Sequence, residues 1–166
     1  INDGMADYDT EWTVRLIYCT GSVLAETTMR CLVSAHQSAH LELPGEIADF
    51  GDAADEIIVA ETSEGFSRAV YNPVDVIGQR LCADAFDARV ESGEQGYLLH
   101  VTARSYVRDL FCMADKVHPE AGVNDGMVDL LPGESLVWRI DSPKVDEPSL
   151  FAAGNVLRSA NDLRHL

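Results

Sequence analysis

An alternation of apolar and polar residues with period two runs through most of this chain, and it confines the fold to paired strands. Trp12, Val14, Leu16 and Tyr18 fall on one face and Thr13, Arg15, Ile17 and Cys19 on the other, because successive side chains of a strand point to opposite sides. The Thr20-Gly21-Ser22 turn leads into Val23, Ala25, Thr27, Met29, Cys31 and Val33 on one face, which predicts a hairpin. Ser38 to Leu43 reads as a short strand ended by Pro44-Gly45, and Gly45 to Asp55 as loop with one helical turn. Glu56 to Glu61 and Ser67 to Tyr71 form a strand pair across Ser63-Glu64-Gly65.

The pattern restarts after Asn72-Pro73. Phe86, Ala88 and Val90 share a face, a turn over Ser92 to Gly96 follows, and Tyr97, Leu99, Val101 and Ala103 continue the alternation. Tyr106 to Met113 supplies a further strand. Asp129-Leu130-Leu131 is a short strand, Leu131-Pro132-Gly133-Glu134 a turn in which Pro fixes φ and Gly supplies φ > 0, and Leu136 to Ile140 the closing strand. Many short strands between frequent turns argue for an all-β chain: two small immunoglobulin-like β-sandwiches over 1–72 and 73–142, then a linker and tail over 143–166. Trp12 and Trp138 fall at inward positions and serve as core anchors. In the tail, Val156, Leu157, Ala160 and Leu163 fit one helical face; the segment either frays or docks on a neighbouring domain.

Composition excludes several functions. Twelve basic against 28 acidic residues give a formal charge of -16, which repels phosphate backbones and anionic lipid, so neither nucleic acid nor a membrane is an expected partner. No apolar run approaches the roughly 18 residues of a membrane span. The chain starts at Ile1 without an initiator Met or a signal-like segment, and reads as a piece of a longer polypeptide. Cys19, Cys31, Cys82 and Cys112 lie in apolar, strand-like stretches without CxxC spacing. Buried free thiols in a reducing, cytoplasmic setting are expected of them.

Candidate chemistry is sparse. His36 and His40 stand four apart, a spacing that serves metals on helices, but their surroundings read as loop and strand with no acidic third ligand. His100 belongs to a strand, on its solvent side, and His118 to a loop. Asp3, Asp7 and Asp9 do not follow the calcium-loop spacing and read as a solvated acidic turn; Asn124-Asp125-Gly126, ahead of Asp129, reads as turn chemistry. No Gly-rich phosphate loop and no nucleophile elbow is found. Catalytic residues, cofactor and metal are therefore each expected to be none.

The run Asn124 to Glu134, with Leu136 to Ile140 behind it, resembles the closing hairpin of family 2 β-mannosidases. Ile1-Asn2-Asp3-Gly4, Trp12 to Tyr18, Thr20 to Glu26 and Ser67 to Pro73 resemble the immunoglobulin-like domain that follows the barrel in that family, and Tyr97 to Ala103 and Val107 to Leu110 its final one. Met127 and Val128 stand where the family usually carries aromatic residues. The resemblance implies non-catalytic C-terminal domains of a retaining β-mannosidase whose two catalytic glutamates lie on an absent barrel. None of Glu11, Glu26, Glu42, Glu46, Glu56, Glu61, Glu64, Glu91, Glu94, Glu120, Glu134 and Glu147 matches a family catalytic motif. The implied partner is the parent's own catalytic barrel. In the family a strand precedes the turn matched by Asn2-Asp3, so the first domain is expected to lack its first strand, and the isolated chain either to pair with another copy as a homo-oligomer or to be marginally stable unless that edge is covered. The competing reading is an autonomous immunoglobulin-like module that binds carbohydrate or protein.

Overall fold

A computed structural model describes residues 1–63, 67–93 and 96–165. The chain is all-β, with three antiparallel sheets. It divides into two units, one of Ile1–Tyr18 and Ser22–Asp75, the other of Cys19–Gly21 and the chain from Val76 onward. The sequence placed this division after residue 72 and set the tail apart; in the structure the tail belongs to the second unit.

The first unit is built on one sheet of four strands, β1 (Tyr8–Tyr18), β2 (Val23–Val33), β3 (Glu56–Thr62) and β4 (Arg68–Tyr71), in the order β2-β1-β3-β4. Register follows the alternation: Trp12 faces Met29 and Thr62, Val14 faces Thr27 and Ala60, and Leu16 faces Ala25 and Ile58. The single helical turn α1 (Gly45–Ala48) drops Ile47 onto Val14, Leu16 and Ile58, with Phe50 beside them. Ser38 to Leu43, expected as a strand, pairs with no ladder. It stays exposed, and the first unit, expected as a sandwich, holds a single sheet among the described residues.

The second unit has two sheets. β5 (Phe86–Gly93), β6 (Gly96–Ala103), β8 (Gly122–Val123) and β10 (Ser135–Asp141) run in the order β5-β6-β10-β8, and β7 (Val107–Cys112), β9 (Val128–Leu130) and β11 (Leu157–Arg158) in the order β11-β7-β9. Both contribute to one core: Leu99, Val101, Trp138 and Ile140 from the first, Val107, Leu110, Leu130 and Leu157 from the second. Interdigitating inner faces are the usual source of sandwich stability. The tail is not the expected α-helix. Pro148–Ala152 and Ala160–His165 are 3-10 turns around β11. Phe151, Val156, Leu157 and Ala160 are buried while Leu163 is exposed, so the apolar residues dock on this unit, but through short pieces that Pro148 and Gly154 punctuate.

Candidate functional site

The Asp129 to Glu134 run is a fastening, made by local polar geometry. Oδ1 of Asp129 accepts from the Asp109 backbone N–H at 2.8 Å and Oδ2 from the Tyr106 hydroxyl at 2.9 Å. Asp109 sits at a φ of 54° where the β7–β9 register shifts, a conformation of side-chain-bearing residues that needs local support. Glu134 accepts from the Leu131 N–H at 2.8 Å, and Gly133, at a φ of 87°, donates to the Ala103 carbonyl at 2.8 Å. Apart from Asp129 Oδ2, which holds the Tyr106 hydroxyl, the polar groups named here hold backbone, and those of Gly133 and Glu134 do so at the expected turn.

A second polar cluster joins distant parts of the same unit. Gln79 and Asn161 are fully buried. Asn161 donates to the carbonyls of Cys82 and Tyr106, both at 2.9 Å, and accepts from the Arg108 N–H at 3.0 Å; Arg108 donates to Gln79 at 2.8 Å. Buried side chains of this kind are retained only when satisfied. Sequence reasoning missed them because no pattern distinguishes these amides from surface ones.

Three concavities among the described residues bear on function. One, of about 360 Å³, belongs to the first unit and is lined by Tyr8, Thr10, Trp12, Met29, Leu41 and Leu43 among others. Another, of about 450 Å³ in the second unit, is lined by Phe111, Met113, Met127 and Leu163 with Asp109 and Arg158. The third, of about 420 Å³, holds Lys144 and Asp146 near Tyr97. The first lining contains no carboxylate and the other two contain one each.

The remaining sequence candidates are dispersed. His36, at a φ of 58°, and His40 are exposed, and among the described residues no three His, Cys, Asp or Glu side chains gather as metal ligands do. Asn2 organises the first turn by donating to the Ala6 and Val33 carbonyls, while Asp9 pairs with Arg30 at 2.9 Å, which holds its carboxyl below the usual range. Asn124 accepts from the Arg139 N–H and Asp125 from that of Gly126, as turn residues do. His100 lies 3.2 Å from Glu91 and His118 accepts from the Glu120 N–H. All four cysteines are free, but Cys82 is exposed, since it stands in irregular backbone ahead of a turn and not in the strand expected of it. Burial, assisted by Asp115, pushes the Cys112 thiol up to about 11. Trp138 is a core residue; Trp12 is half-buried and borders the first concavity.

No family model matches the sequence, and no curated protein does. Solved structures do match. A β-D-mannosidase from Dictyoglomus thermophilum superposes with a TM-score of 0.62 at 14% identity, over 96% of this chain and 19% of that one. An exo-chitosanase from Amycolatopsis orientalis gives 0.46 at 18% identity, over 83% of this chain and 21% of the other. The chain thus spans about a fifth of the length of these structures, and the first likeness shows a shared fold.

Proposed function

We propose that this chain is the C-terminal pair of immunoglobulin-like domains of a family 2 glycoside hydrolase of β-mannosidase type. In this reading it is non-catalytic and supports a barrel that carries the retaining carboxylate pair, through contacts with that barrel or between subunits. The observation that carries the reading is the fold shared with a β-D-mannosidase over 96% of this chain but only 19% of the enzyme. Free thiols agree with a reducing, cytoplasmic location.

The test compares release of nitrophenol from a nitrophenyl β-mannoside by the 166-residue chain and by the polypeptide its gene encodes. The expected outcome is no turnover by the chain and turnover by the longer polypeptide. Turnover by the chain alone, or a gene encoding no barrel, would overturn the reading.

The open concavity of the first unit favours a second reading, a binding module. Retention of the barrel-containing polypeptide's activity after deletion of residues 1–75, together with ligand capture by those residues, would select it.

A further inference from the structure

The first unit presents an apolar trough whose floor is cross-strand pairs. Tyr8 faces Val33, Thr10 faces Cys31 and Trp12 faces Met29 on β1 and β2, and all six line the concavity. One wall is the segment that carries Ala39, Leu41 and Leu43, every second residue of which lines the trough. Leu41 and Leu43 are 41% and 37% exposed, and Ile1, which also lines the trough, 94%. Large apolar side chains gathered around one hollow differ from the scattered surface apolars that need no explanation.

Three further observations identify an occupant. Thr10 is 6% exposed and its hydroxyl has no hydrogen-bond partner among the described residues. Residues 39–43 make no backbone hydrogen bond among the described residues, so the wall offers a row of donors and acceptors to an added strand. Charge sets the rest. Residues 1–75 hold Arg15, Arg30 and Arg68 against fourteen carboxylates, and those arginines already pair with Glu61 and Asp9. From Tyr8 to Val14 the floor runs about 20 Å at a strand's rise per residue.

From this geometry we infer that the trough is a docking site for an extended polypeptide segment, about six residues long, alternately apolar and flanked by Lys or Arg. Its apolar side chains cover Trp12, Met29, Leu41 and Leu43, its backbone pairs with residues 39–43, and its cations answer the excess of carboxylates over arginines in residues 1–75. A second copy of this chain fits less well, because each copy brings a formal charge of -16. The inference does not rest on the glycosidase reading.

The test titrates the chain with a short synthetic peptide of alternating leucine and threonine between paired lysines. A blue shift in emission that is absent from a Trp12→Phe variant, saturable binding by calorimetry, and at least tenfold weaker binding by Leu41→Gln/Leu43→Gln are expected. A peptide with glutamate in place of lysine should not bind. Because the glutamate arm uses the unaltered chain, the result stands even if a variant folds poorly. Equal binding of both peptides, equal binding by the leucine variant, or no binding of the lysine peptide would overturn the inference. So would concentration-dependent dimerisation that the leucine substitutions abolish, which would make a second copy the occupant.

Discussion

Asp129→Ala removes the fastening between β7 and β9 and gives a magnitude that can be worked out beforehand. Two charge-assisted hydrogen bonds disappear, from the Tyr106 hydroxyl and the Asp109 N–H. Tyr106 is 0% exposed, so water does not simply replace the lost acceptor. At about 1 to 3 kcal/mol for each donor deprived of its acceptor, the loss is about 2 to 6 kcal/mol. Support for the positive φ of Asp109 goes with it. Urea unfolding in a Trp12→Phe background isolates the signal of Trp138, which is buried in the second unit. With a slope near 1 kcal/mol per molar for a unit of this size, the midpoint should fall by roughly 2 M or more. Asp129→Asn, which keeps an acceptor for the Asp109 N–H, should lose about half as much. A midpoint for Asp129→Ala within about 0.5 M of the parent would refute the claim that this carboxylate clamps the fold.

Gly96→Ala should destabilise the second unit by at least about 3 kcal/mol, because the new methyl would stand 2.1 Å from the Ile140 carbonyl oxygen at a φ of 104°; Gly126→Ala, which meets nothing within 4 Å, should leave the thermal midpoint nearly unchanged. Asn161→Ala removes three hydrogen bonds to residues 82, 106 and 108 and should cost about 3 kcal/mol, with proteolysis of the tail rising in step. For Cys112 the folded thiol titrates near 11 against an ordinary 9.0, so the unfolded chain ionises first. Its stabilising contribution is therefore complete below pH 9 and fades between pH 9 and 11, by on the order of 2 kcal/mol; that slope should shrink in Cys112→Ala, and at pH 8 a thiol reagent should modify exposed Cys82 well before Cys112.

The strands were legible because period two is written directly into them. Trp12, Val14 and Leu16, then Tyr97, Leu99 and Val101, stand on the faces their spacing gives, and the Pro132-Gly133 turn lies where Gly supplies φ > 0. Periodicity was less reliable where partners decide the outcome. Ser38 to Leu43 has strand-like composition but no neighbouring strand, so it stays unpaired. In the tail, the spacing of Val156, Leu157, Ala160 and Leu163 suits a helix, yet β11 pairing with β7 and the hold on Asn161 fix shorter pieces. The trough was not legible at all, since Trp12 reads identically whether or not a second layer covers it.

The grip of Asn161 on carbonyls 79 and 55 positions earlier makes completion of the second unit a late event in synthesis. Strands β5 to β10 leave the ribosome before the residue that cinches them, and long loops must close before that contact is rewarded. Until Asn161 emerges, the Cys82 and Tyr106 carbonyls and the Arg108 N–H lack the one side chain that joins them in the finished unit.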